Sequence, residues 1–86
     1  MPEISRFFGL VIKIYFNDHA PPHFHVEYGE HEAVIAIQSF AVERGKLPSR
    51  ALALVLEWAS MHRHELMQDW NRAREGKPLR TIAPLK

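Results

Sequence analysis

The sequence predicts an α+β domain in which a three-stranded antiparallel sheet precedes one long C-terminal helix packed on one face. Three observations carry this. Short segments in the first half alternate apolar and polar residues, the dipeptide Gly29-Glu30 joins two of them, and neither Gly nor Pro interrupts the stretch from Ser49 to Glu75. Alternation is the period of a half-buried strand, and a long uninterrupted segment with apolar residues three and four apart is the period of a helix.

The first strand is expected over about residues 10–16, with Leu10, Ile12, Ile14 and Phe16 on one side and Val11, Lys13 and Tyr15 on the other. Asn17-Asp18-His19-Ala20-Pro21-Pro22 follows, and two prolines with turn-forming Asn and Asp make it an exposed loop. The second strand, about 23–28, turns Phe24, Val26 and Tyr28 inward and His23, His25 and Glu27 outward. Gly29-Glu30, with Gly first, has the signature of a two-residue type II′ hairpin leading to a third strand over about 32–38. Facing residues would then pair His25 with Val34, Phe24 with Ile35 and Glu27 with Glu32. Two carboxylates directly opposite repel, so that pair calls for splaying into water, a cation, a bound metal or a proton.

Glu43-Arg44-Gly45-Lys46 reads as a turn, and Pro48 or Ser49 as the start of the helix. From about 49 to 75 the stripe Ala51, Leu54, Val55, Trp58, Ala59, His62, Leu66, Trp70 and Ala73 recurs at helical spacing, and Gly76 and Pro78 end it. Such a helix would be about 40 Å long against about 23 Å for a seven-residue strand, so it should overhang its sheet. Its apolar end, Leu66 and Trp70, then needs cover from Leu79, Ile82 and Leu85 in the tail 76–86, or from a second chain. The tail is also free to add a short fourth strand. His62 lies on the apolar stripe and is expected to be a hydrogen-bonded core residue, whereas His64 points to water.

Eighty-six residues, 47% of them hydrophobic, suit a single globular domain over 1–86 rather than a disordered or multidomain chain. The absence of cysteine excludes disulfides, thiolate zinc sites and thiol nucleophiles, leaving His, Asp and Glu as the strong metal ligands. No eighteen apolar residues run together, so no membrane span is expected, and the cytoplasmic address is the one expected from the absence of cysteine. Residues 1–47 carry four basic and six acidic groups, and residues 48–86 carry seven basic and four acidic. The late excess makes Arg72, Arg74, Lys77 and Arg80 candidates for contact with nucleic-acid phosphates, although cations at a helix C-terminus also suit its dipole.

The chemistry is concentrated between residues 17 and 28. His23 and His25 alternate onto one strand face, and Asp18 or His19 could reach them from the loop stiffened by Pro21 and Pro22. Two imidazoles and one carboxylate with open positions suit Fe(II), Mn(II) or Zn(II), and three imidazoles suit zinc. Glu27, on the same face, is the candidate base for hydrolysis by a metal-bound water. A solvated sheet face would carry the same residue types. A third reading has Asp18 and His19 hydrogen-bonding the loop backbone and shaping it for recognition.

The runs Pro2-Glu3-Ile4-Ser5-Arg6-Phe7-Phe8-Gly9, Tyr15 to Val26 and Arg50 to Trp58 resemble the bacterial family catalogued as domain of unknown function 4160. The likeness covers nearly the whole chain, through Gly76-Lys77-Pro78-Leu79, and Asn-Asp-His-x-Pro-Pro-His-Phe-His is its most specific part. The resemblance implies that Asn17, Asp18, His19, Pro21, Pro22, His23 and His25 matter. Members of that family are often encoded beside another small uncharacterised domain, which implies a regulatory or toxin-antitoxin-like pair. The leading expectation is therefore an interaction module of a two-protein system. It would use the loop Asn17, Asp18, His19, Pro21 and Pro22 and the sheet face for recognition, and the overhanging helix for a protein partner or a second copy. The alternatives are a metal-dependent hydrolase or nuclease and nucleic-acid binding through the basic C-terminal region.

Overall fold

The computed structural model describes residues 2–86 as a five-stranded antiparallel meander, order β1-β2-β3-β4-β5, followed by two helices. The added first strand comes from a turn that periodicity does not reveal. Phe8 and Gly9 both adopt the left-handed region, at φ 49° and 82°. Two successive positive φ values make a type I′ hairpin, whose twist matches the strands it joins. Strand β1 (Glu3–Phe7) is thereby folded onto β2 (Leu10–Lys13).

Strand β2 is shorter than expected. Ile14 stays buried, its N–H donating to the Pro2 carbonyl at 3.0 Å, but Tyr15 and Phe16 turn out to solvent before Asn17 reverses the chain at φ 62°. Strand β3 (His23–Tyr28) and strand β4 (His31–Ala36) pair through Gly29 at φ 56°, in the expected register: His25 with Val34, Phe24 with Ile35, Glu27 with Glu32. The clash between the two carboxylates is relieved by a cation, since Lys13 Nζ lies 2.8 Å from Glu27 Oε2. The residues expected to form a turn at Glu43–Lys46 instead place Val42–Gly45 in strand β5, paired with β4 across a bulge. All four of its residues are exposed, so it lacks the alternation that identifies a half-buried strand.

Helix α1 (Ser49–Met61) and helix α2 (Arg63–Arg74) replace the single long helix. A straight helix of about 40 Å would exceed the 33 Å longest dimension of the Cα trace. The break falls at His62, where φ is −129° and the N–H donates to the Ala59 carbonyl at 3.0 Å. His62 is the residue before α2 but caps no backbone N–H with its side chain; its ring Nδ1–H donates to the Glu65 carboxylate while the ring packs on Trp58, centroids 5.4 Å apart. Bending here turns Leu66, Trp70 and Ala73 into the same core as Ala51, Val55 and Trp58, with Phe24, Val26 and Ile35 from the sheet. The overhang therefore does not exist, and the apolar end, expected to be covered by the tail or by a second chain, is buried within the domain with Ile82 and Leu85 of the tail.

The tail 76–86 forms no strand. It runs as a strap: Arg80 N–H donates to Asp69 Oδ1 at 2.9 Å, Ile82 N–H to the Ile4 carbonyl at 2.7 Å, and Trp58 Nε1–H to the Ala83 carbonyl at 2.8 Å. Ser5 returns a hydrogen bond to the Ile82 carbonyl at 2.9 Å, which explains a buried serine in β1. Ile82 and Leu85 close the core beneath it. Among the described residues, no helix is long and apolar enough to cross a membrane.

Candidate metal centre

Strand β3 sends Phe24 and Val26 into the core and His23, His25 and Glu27 to the other side, as the two-residue period requires. His25 remains half-buried at the sheet surface. His23, expected to be solvated, is only 8% exposed, because Trp70 of α2 lies against it with ring centroids 5.0 Å apart. The loop after β2 brings Asp18 onto both rings. Its Oδ2 lies 2.8 Å from His23 Nε2 and 2.9 Å from His25 Nε2. The three ligand atoms all fall within 4.8 Å of one another.

The second nitrogen of His23 fixes what the first can do. His23 Nδ1–H donates to the Pro21 carbonyl at 2.8 Å, so a neutral ring presents a bare lone pair at Nε2. That lone pair points at a carboxylate oxygen, which is also electron-rich. Only a positive species between or upon them makes the contact favourable: a second ring proton or a metal ion. A backbone carbonyl that orients the remote nitrogen is also the usual support of a metal-binding histidine. Burial pushes the Asp18 carboxyl up, but hydrogen bonds from His25 and His23 in their Nε2-protonated forms outweigh it and hold the group below its ordinary value. The carboxylate is thus present in its charged form. The His19 N–H donates to the other oxygen, Oδ1, at 3.3 Å.

The remaining candidates are placed less centrally. His19 is exposed and its ring lies outside the cluster, as do the exposed Asn17 and Pro21 side chains and the half-buried Pro22. Glu27 shares the open face with His25, but Lys13 engages it at 2.8 Å and raises its own ammonium pKa in doing so. At the C-terminal end of α2 and in the tail, Arg72 Nη1–H donates to the Pro78 carbonyl at 3.4 Å and Lys77 pairs with Glu75 at 3.1 Å, while Arg74 and Arg80 are exposed.

Two neighbours of the cluster were not visible as such in the sequence. Tyr15 meets the His25 ring edge-on, centroids 4.6 Å apart at 84°. Beside it a groove of about 400 Å³ opens on the sheet, lined by Tyr15, His25, Glu27, Glu32, Val34 and Arg44. The pairing of β3 with β4 could have brought Val34 beside His25, but Arg44 enters only through β5.

A family model described as Domain of unknown function (DUF4160) matches residues 9–71. That span includes Asp18, His23, His25 and Trp70. No curated protein and no solved structure matches the chain.

Proposed function

The chain belongs to the family Domain of unknown function (DUF4160), whose description names no activity, and from the geometry of its histidine cluster we propose that the domain binds a divalent transition metal through Asp18, His23 and His25. The observation that carries this is the His23 ring, whose Nδ1 is committed to Pro21 while its Nε2 faces the Asp18 carboxylate at 2.8 Å. Two imidazoles and one carboxylate with open positions suit Fe(II), Mn(II) or Zn(II), and the three ligand atoms lie within 4.8 Å of one another.

Three protein ligands leave positions for water or a ligand, and the ion would supply Lewis acidity there. Hydrolysis at such a site would rest on metal-bound water, since Lys13 already engages Glu27. Elemental analysis of tag-free protein and titration with Mn(II), Fe(II), Co(II) and Zn(II) test the reading. Stoichiometric uptake lost in His23→Ala and His25→Ala is expected; no uptake, or equal uptake by both variants, defeats it.

The loop that carries Asp18 also leaves Phe16 43% exposed and Tyr15 38% exposed, which supports the same surface as the recognition face of an interaction module. In that role the metal fixes the loop for a protein partner. Limited proteolysis between residues 14 and 22 should slow when metal is added, and an unchanged rate of cutting counts against this role.

A further inference from the structure

One member of the cluster, His25, also lines the groove, and the sheet register says what lies at the groove's far end. Lys13, His25, Val34 and Arg44 are successive cross-strand partners, so all four project from the same face. Neighbouring strands are about 4.8 Å apart, which places the Arg44 backbone about 10 Å from that of His25. The charges along this row are not equivalent. Lys13 is neutralised by Glu27 at 2.8 Å, whereas Arg44 has no carboxylate within ion-pair distance among the described residues. Between the two ends the groove offers the aliphatic Val34 and the ring of Tyr15. Glu32 also borders it and, like Arg44, is exposed to water.

We infer that the metal and Arg44 together form the two poles of a site for a short dicarboxylate, one carboxylate on the ion and the other on the guanidinium, with the carbon chain over Val34 and Tyr15. This rests on the metal reading above. A guanidinium presents a planar fork of N–H donors that matches a carboxylate, and an unpartnered one is free to do so. A volume of about 400 Å³ lies within the range of small-ligand sites. With Lys13 and Glu27 paired to each other, Arg44 is the cationic side chain lining the groove among the described residues.

The test uses the whole protein loaded with Co(II), whose visible absorption reports changes at the ion. Glutarate, acetate and inorganic phosphate are titrated separately into the wild type and into Arg44→Gln. One charge-assisted contact corresponds to about tenfold in affinity. Glutarate should therefore bind about tenfold more tightly than acetate in the wild type, with that preference collapsing in Arg44→Gln. If cobalt binds but glutarate shows no advantage over acetate, or keeps its advantage in the variant, the inference is overturned and the metal centre stands. If phosphate binds more tightly than glutarate, the dicarboxylate assignment is overturned. If cobalt does not bind at all, the inference and the metal reading fall together.

Discussion

Asp18→Asn separates a metal centre from a resident ion pair, because it removes the charge and keeps the shape. In the metal-free protein, an amide N–H placed where Oδ2 now sits can donate to the His23 Nε2 lone pair, since His23 Nδ1–H is already given to Pro21. The variant without metal should then stay within about 1 kcal/mol of the wild type, the worth of one neutral hydrogen bond. A resident imidazolium–carboxylate pair predicts otherwise. Its loss would remove a charge-assisted contact of about 1.5–3 kcal/mol, toward the lower end because the side chains retain 11 to 26% exposure. Metal at a hundred times its dissociation constant stabilises the folded state by about 2.7 kcal/mol, or roughly 10–20 °C in a domain of this size. Thermal melts followed by circular dichroism, with Mn(II) and with chelator, read both quantities. The wild type should shift upward with metal and Asp18→Asn should not. A wild type indifferent to metal, beside a variant several degrees less stable under both conditions, would refute the reasoning and leave a structural His–Asp–His cluster.

Other perturbations address the frame that holds the site. Leu66→Ala, at a fully buried position on α2, should cost about 2–5 kcal/mol in urea denaturation, and a loss under 1 kcal/mol would contradict the folded-back helix. Gly45→Ala would drive a methyl group onto the Glu32 carbonyl at φ 78° and should cost more than about 3 kcal/mol; Gly29→Ala meets no neighbour and should cost about 1–2 kcal/mol for its φ of 56° alone. Equal effects by chemical denaturation would argue against the pairing of β4 and β5. Asp69 is 1% exposed with Oδ2 unpartnered, and burial raises its carboxyl above the ordinary value. The folded state then holds that proton more tightly than the unfolded one. Its contribution to stability should grow as pH falls through the raised value and level off near about 3.9, the unfolded value. Asp69→Asn removes this component, so the difference in urea midpoint between variant and wild type should shrink as pH is lowered from 7 toward 4; a constant difference would contradict the assignment.

The readable parts of the fold were those where local chemistry and tertiary structure agree. Gly29 sets the turn between β3 and β4, and alternation in residues 23–28 fixes which side each histidine takes. The register followed, and with it the meeting of Glu27 and Glu32. Strand β1 was hidden because its turn uses Phe8 at a left-handed φ, which few sequences with phenylalanine adopt. Strand β5 was hidden because an edge strand exposed on both sides shows no period. The break at His62 leaves no Gly or Pro as a mark; it is set by the need to bury Trp58 and Trp70 in one core. The candidate site divides in the same way. The strand period brings His23 and His25 together, but Asp18 rather than His19 joins them through the loop path, and His23 is covered by Trp70 from forty-seven residues away.

The strap has a consequence for how copies of this domain can meet. The β1 border of the sheet is partly occupied, since Ile82 N–H is bonded to the Ile4 carbonyl and the Ser5 hydroxyl to the Ile82 carbonyl. At the other border all four residues of β5 are exposed. Sheet-to-sheet joining between two molecules is therefore less obstructed at β5, and pairing of β5 with its copy would give a two-fold dimer.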